Sequence, residues 1–275
     1  MSLLRVDALS KKFGGVNAVE DLSFDIQPGA VYSIIGPNGA GKTTLLNLLT
    51  GVYRPSAGRI VFDGQDLSGR APYEYARHGV ARTFQNLQVF FNMSALENVM
   101  VGRYMQERCG LVSALLRSPR MARAEDACRA EAAELMRYVG LQNYLSAAAD
   151  AMPYGALKRL EIARALATKP KLMLLDEPAA GLNPTEALEL DELIGKLAGH
   201  GVTVVLVEHN MRLVMGVSDH ILVLDYGRKL AEGPALAVRN DPKVIEAYLG
   251  SSVTRDSPSA DAIASAVAVA VEMHR

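Results

Sequence analysis

The sequence predicts an α/β fold: a β-sheet core covered on both faces, with a helical subdomain inserted into it. Three observations predict it. An apolar strand, Val31–Ile35, runs straight into a glycine-rich loop and then into an apolar helix. From about residue 156 onward, helical segments and β-branched strands alternate, the pattern of parallel strands joined by crossovers. Between these regions, residues 93–149 are rich in Ala, Leu, Met and mixed charge, with few β-branched runs, and read as helical.

Taken in order, short strands come first: Leu3–Asp7, then Leu22–Ile26 with period-two alternation, then Val31–Ile35, apolar enough to be buried. Pro28-Gly29 turns the chain between the last two. After the loop beginning at Gly36, the run Thr44–Leu49 suits a helix, Arg59–Phe62 is a strand closed by the turn at Asp63-Gly64, and Gly79–Phe84 is a strand ahead of Gln85. Arg120–Tyr138 carries Ala and Leu at helical spacing with Glu, Arg and Asp between, a surface helix, and Ser118-Pro119 marks the break before it. Helices over Leu157–Thr168, Glu186–Leu197 and Arg212–Val217 then alternate with strands over Leu172–Leu175, Val202–Val207 and Ile221–Leu224. The final stretch, 251–275, is rich in Ala, Ser and Val, and leaves a short helix over 262–273 and disorder equally open. The expected organisation is one domain over residues 1–250, a helical subdomain over about 93–165 within it, and that tail.

Composition removes several classes of function. Nearly half the 275 residues (49%) are apolar, enough for a substantial core, and 29 basic against 30 acidic residues leave a formal charge of -1. That balance gives no sign of a dedicated nucleic-acid surface. No run of 18 apolar residues occurs and the N-terminus lacks a signal pattern, so any work at a membrane is expected from its surface, docked on another protein. The two cysteines, Cys109 and Cys128, have neither metal spacing nor a C-x-x-C pattern, and are expected to be reduced thiols.

The chemistry starts at Gly36-Pro37-Asn38-Gly39-Ala40-Gly41-Lys42-Thr43, which meets every fixed position of G-x-x-x-x-G-K-[ST]. Glycines let the backbone wrap close to phosphates so that successive N–H groups point inward. The helix starting near Lys42 adds its positive end. Lys42 is expected to reach the β and γ phosphates and the Thr43 hydroxyl to ligate Mg²⁺. The pattern is that of a nucleotide-binding P-loop, which does not by itself distinguish a switch, a motor or a kinase. Leu172–Leu175 then ends in Asp176-Glu177, two carboxylates at the carboxyl end of a strand, where α/β sheets bind ligands. Asp176 suits Mg²⁺, directly or through water, and Glu177 can polarise an attacking water. His209 follows the strand Val202–Val207 at the same edge and suits contact with the γ-phosphate. Gln85 follows its own strand, and its neutral amide can reach metal or water. No N-K-x-D element is present, which speaks against a GTPase.

In that order, loop, glutamine, helical insert, Gly-centred segment, Asp-Glu strand end and histidine, the chain resembles the ABC-type ATPases across residues 3–250. The resemblance implies an ABC ATPase domain of the P-loop NTPase class with a mixed β-sheet core. It implies an ATP site formed by Gly36, Asn38, Gly39, Ala40, Gly41, Lys42, Thr43 and Thr44. It makes Gln85 (in Ala81–Asn86) the Q-loop, able to serve both catalysis and the metal, and Asp176 and Glu177 the Walker B aspartate and catalytic glutamate. Ala180–Asn183 becomes the D-loop and His209 the switch histidine. Phe13, in Lys11–Val16, falls where the family stacks an aromatic on adenine, with Val16 in the same contact. The signature departs from the usual Leu-Ser-Gly-Gly-Gln: the chain reads Met152-Pro153-Tyr154-Gly155-Ala156, where only Gly155 of the core pattern survives. Pro153 brings neither the hydroxyl nor an N–H, and Ala156 lacks the amide. In the family, Gly155 of one subunit closes over the ATP held by another.

Within the family the chain most resembles the LivG-like ATP-binding subunits of branched-chain amino acid importers, through Ala81–Asn86, Glu97–Val99, Leu160–Leu166, Pro178–Pro184 and His209–Met211. That resemblance implies ATP and Mg²⁺ as cofactors and a peripheral position on the cytoplasmic face of the cell membrane. The implied partners are two transmembrane permease subunits, a second ATPase subunit (itself or a paralogue) and, indirectly, a periplasmic or extracellular solute-binding protein, with no nucleic acid. Subunits of an amide or urea importer, of a lipid or lipopolysaccharide export system, or a soluble non-transport ABC ATPase are the alternatives.

Overall fold

The computed structural model describes residues 2–103 and 119–250. The expectations for Cys109, Ser118 and the 251–275 tail lie outside the described residues. Strands β1 (Leu4–Phe13), β2 (Val16–Ile26), β4 (Ala57–Phe62) and β5 (Gln65–Asp66) form an antiparallel sheet in the order β2-β1-β4-β5. The second sheet runs β10-β9-β3-β8-β7-β6, from β3 (Val31–Ile35), β6 (Val80–Arg82), β7 (Leu172–Asp176), β8 (Thr203–Val207), β9 (His220–Asp225) and β10 (Arg228–Gly233). All its neighbours pair in parallel except β10, which runs antiparallel to β9, so the sheet is mixed.

Every residue of β3, β7 and β8 is buried, because both faces of this sheet are covered. On one face lies helix α1 (Lys42–Leu49), with the antiparallel sheet beyond it. Leu45, Leu46, Leu48 and Leu49 point around more than one side of α1 and are all buried, as a helix enclosed between two sheets requires. Each such leucine stabilises the fold by roughly 1.5–3 kcal/mol through removal from water. The other face packs on α5 (Tyr154–Ala167), α6 (Pro184–Gly199) and α7 (Met211–Val217). Helices α3 (Ala95–Arg103) and α4 (Pro119–Tyr138) pack with α5. α8 (Ala235–Arg239) and α9 (Pro242–Gly250) close a smaller apolar cluster against β3 and β9.

Several expectations need correction. β1 and β2 are twice as long as Leu3–Asp7 and Leu22–Ile26 suggest. Lys11, Lys12, Glu20 and Asp21 lie in these strands, and register shifts between Val6 and Lys12 break the alternation that would have extended them. The strand expected over Gly79–Phe84 is shorter, since Gly79 takes a left-handed conformation (φ 99°) to end α2 (Pro72–His78). Helix α2 and strand β10 were not expected at all, whereas α3 falls in the region 93–149 read as helical, without bounds of its own. Among the described residues no helix is long and apolar enough to cross a membrane.

Candidate functional site

The loop from Gly36 to Gly41 joins β3 to α1, and two of its glycines are sterically required. A Cβ on Gly36 would lie 2.2 Å from the Leu224 carbonyl oxygen, and one on Gly41 (φ 100°) would lie 2.4 Å from that of Ala18. The loop is therefore wedged between β2 and the β9–β10 turn, whose Gly227 N–H donates to Ala40 O at 3.0 Å. The Lys42 ammonium folds back over the loop, donating to the carbonyls of Gly36 (2.7 Å) and Pro37 (3.0 Å). Burial holds its pKa below the usual lysine value, while the nearby Glu177 and Asp176 carboxylates oppose the shift. Thr43 is exposed and Thr44 half-buried in the first turn of α1, and Asn38 and Gly39 are exposed at the loop's tip.

At the end of β7, Asp176 and Glu177 meet different partners. Asp176 is buried and accepts a 2.7 Å hydrogen bond from Arg82 Nη2, both side chains being under 10% exposed. Arg82 also donates to Asn47 Oδ1 of α1 at 2.6 Å and lies over the Phe84 ring. Glu177 sits with a positive φ of 48°, a conformation uncommon for a residue with a side chain. Its carboxylate joins two other segments, accepting from Gln85 Nε2 at 2.9 Å and meeting His209 Nε2 at 2.9 Å. Gln85, Glu177 and His209 thus form one bridged group, and Asp176 beside it faces Lys42 electrostatically.

Phe13, at the end of β1, is 44% exposed and packs edge-on against Tyr53 at 5.2 Å, with the Lys11 ammonium over its ring. Val16 across the hairpin is exposed too, so this corner offers an apolar face to solvent. Gly155 is buried at the N-terminus of α5, where a Cβ would meet the Glu186 carboxylate at 2.3 Å. Its contacts tie it to the start of α6.

Four further residues shape the site without having been singled out in the sequence. Lys158 of α5, buried, donates to Gln85 O at 2.9 Å, and Glu161 one turn on accepts from Gln88 N at 2.5 Å. The two clamp the segment after β6 onto the helix that begins with Gly155. Glu208, buried, accepts from the backbone N–H groups of Ala179 (2.8 Å), His209 (3.0 Å) and Asn210 (3.4 Å), binding the segment after Glu177 to the segment carrying His209. Arg82 is the fourth. Helical spacing from Gly155 and the Glu208-His209 adjacency were the only signals for three of them.

Near Glu208, burial pushes the Asp191 carboxyl up to about 6; Arg212 opposes the shift and Glu208 adds to it. One Asp191 oxygen is buried without a hydrogen-bond partner. A carboxyl raised in the folded state stabilises the fold only while protonated, so stability falls as pH rises from about 4 to about 6 and stays lowered above. Asp191→Asn is expected to flatten the melting temperature across that window and to melt higher than the native protein at pH 7.5. Thermal melts of both across pH 4–8 check this.

The oxygen donors offered here, the Thr43 hydroxyl, the Gln85 amide oxygen and Asp176, are hard ligands of the kind that hold Mg²⁺ together with phosphate oxygens and water. Among the described residues no cluster of three His, Cys, Asp or Glu could hold a metal alone.

The model of the ABC transporter family matches residues 19–180, and relatives match along nearly the whole chain. The chain belongs to the ABC transporter family. A second ABC family model, that of the branched-chain amino acid ATP-binding cassette transporters, matches residues 228–254, covering β10, α8 and α9. The ABC relatives include the high-affinity branched-chain amino acid transport ATP-binding protein LivG of Escherichia coli K12, 45% identical over 91% of this chain and 98% of its own. BraF of Pseudomonas aeruginosa, a transport ATP-binding protein for the same amino acids, is 43% identical over the same shares. Among solved ABC structures, a nucleotide-free ATP-binding cassette superposes with a TM-score of 0.78 at 32% identity, covering 90% of this chain and 99% of that one. As a member of this family the chain has the ABC ATPase fold: a P-loop, a mixed sheet and a helical subdomain. It binds ATP.

Proposed function

We propose that this ABC protein is the ATP-hydrolysing subunit that energises import of branched-chain or related amino acids across the cytoplasmic membrane. The observation that carries the reading is Glu177, held between Gln85 and His209 beside the P-loop, in a chain whose residues 228–254 match the branched-chain family. The relatives' names support the solute class. On this reading residues 1–250 are one ATPase domain, with the helical subdomain over about 93–165 inserted in it.

The residues divide the work by position. Backbone N–H groups of Gly36, Asn38, Gly39, Ala40 and Gly41, with the first turn of α1 at Lys42–Thr44, hold the phosphates. Phe13 and Val16 offer the adenine an exposed apolar face. Lys42 exchanges its two loop carbonyls for phosphate oxygens and offsets charge in the transition state. Thr43, Gln85 and Asp176 would hold Mg²⁺, which would supply charge neutralisation beside the phosphates. Glu177 takes a proton from the attacking water. His209 orients Glu177 through their hydrogen bond and contacts the γ-phosphate. Gly155 closes over the site of a second ATPase subunit, a copy of this chain or a paralogue. The exposed Phe90 and Phe91 lie on the segment after Gln85 that a permease would meet, so nucleotide state would pass to two permease subunits and, through them, to a solute-binding protein outside. The chain would sit on the cytoplasmic face of the membrane.

The test is phosphate release from ATP by the purified protein with Mg²⁺ and with EDTA, alongside sizing with and without ATP. Hydrolysis that requires Mg²⁺ and a shift to dimer with ATP are expected. A monomer that binds no ATP under any condition would overturn the reading.

A further inference from the structure

Residues 208–210 join strand β8 to helix α7, and His209 stands in the middle of them. Its side chain is 45% exposed and its ring meets Glu177 Oε1, so where the ring points depends on how the backbone beneath it is held. Hydrogen bonds hold that backbone from both sides. Downstream, Asn210 caps α7, its Oδ1 accepting from Arg212 N at 3.1 Å and Leu213 N at 3.3 Å. Upstream, Glu208 is buried and divides its carboxylate between two segments. Its Oε2 accepts from the N–H groups of His209 (3.0 Å) and Asn210 (3.4 Å), and its Oε1 from Ala179 N at 2.8 Å. Ala179 lies two residues after Glu177, whose own N–H donates to Val207 O at 2.9 Å. Among the described residues no Lys, Arg or His pairs with Glu208, so backbone donors alone receive this charge. Glu177 and His209 are therefore tied twice, once through their side chains and once through Val207 and Glu208.

We propose that Glu208 is a positioning residue for ATP hydrolysis: by holding Ala179 and His209 on one carboxylate, it keeps the His209 ring at the Glu177 oxygen and so fixes the orientation in which Glu177 meets water. The proposal rests on the hydrolytic roles given above to Glu177 and His209. Misplacing a reacting group by about 1 Å slows a reaction about 10²-fold. The phosphate loop is held by contacts of its own, the Gly227 N–H on Ala40 O among them, so losing Glu208 is felt in turnover and not in nucleotide binding.

The test compares the full-length native protein with two variants that each break the bridge. Glu208→Gln keeps the length but turns an NH2 toward one set of N–H donors; Glu208→Asp keeps the charge but is one methylene too short to reach both segments. Val205→Ala, a cavity in the middle of β8, serves as the control for lost stability. At a temperature where each protein is folded, kcat for Mg²⁺-dependent hydrolysis is expected to fall about ten- to a hundredfold in both Glu208 variants, with Kd for a fluorescent ADP within about twofold of native. Amide exchange at Ala179 and His209 is expected to speed up at least about tenfold, with β7 unchanged. Val205→Ala is expected to melt lower while keeping kcat within about twofold. Native kcat in whichever Glu208 variant folds would overturn the proposal and leave the hydrolysis reading intact. So would a kcat loss in Val205→Ala as large as in the Glu208 variants, or a Kd that rises as far as kcat falls. A native protein that binds ATP without hydrolysing it would instead sink the hydrolysis reading, and this proposal with it.

Discussion

Glu177→Gln is expected to slow Mg²⁺-dependent ATP hydrolysis by about 10²–10⁴-fold, the range that a positioned general base supplies, while leaving ATP binding in place. The amide has the carboxylate's shape but cannot take a proton from water. Glu177 meets Gln85 and His209 on different oxygens, and the amide replaces one of these oxygens by a donating NH2, so one of the two contacts must be remade. Because the bound ATP then persists, the variant is expected to accumulate as an ATP-dependent dimer. Phosphate-release assays and sizing with ATP check both halves. A variant that hydrolyses ATP at the native rate would remove Glu177 from the chemistry.

Arg82→Met is expected to destabilise the protein by about 3–5 kcal/mol, the cost of leaving one member of a buried ion pair uncompensated. Asp176 would lose its 2.7 Å partner, and Asn47 on α1 its 2.6 Å donor. This arginine therefore holds β6, β7 and α1 in register around the carboxylate that the site uses. Pairing the change with Asp176→Asn should recover part of the loss, because the stranded charge is gone. Urea unfolding of the two variants and their combination measures the coupling. Additive effects of the two changes would show that the ion pair carries no coupling.

The parts of the molecule that were legible in the sequence share a physical cause. β3, β7 and β8 are buried throughout and α1 buries all four of its leucines, so their composition alone announces them. Glycine was readable at 36 and 41 because no other residue fits there. Asp176, Glu177 and His209 stand immediately after apolar strands, and the parallel sheet brings such ends to one edge. β1 and β2 were only half legible, since their outer faces carry charge and their register shifts. Arg82 and Lys158 were not legible. Arg82 is 94 residues from Asp176 and Lys158 is 73 from Gln85, and nothing local in either segment announces the partner. The signature segment shows the converse: its departure from the family's pattern was plain, but only the structure shows Gly155 packed on Glu186.

The enclosure of α1 between two sheets has a consequence for where the protein can breathe. Its leucines belong to the same cluster as β3, β7 and β8, so its amides can open to solvent only when that whole cluster comes apart. The helix under the phosphates is thereby expected to exchange its protons at the rate of global unfolding. His209 and Gln85, on exposed segments, can open at far lower cost. Under hydrogen–deuterium labelling the two sides of one site would separate into the slowest and the fastest populations: a fixed anvil beneath the nucleotide, and movable jaws above it.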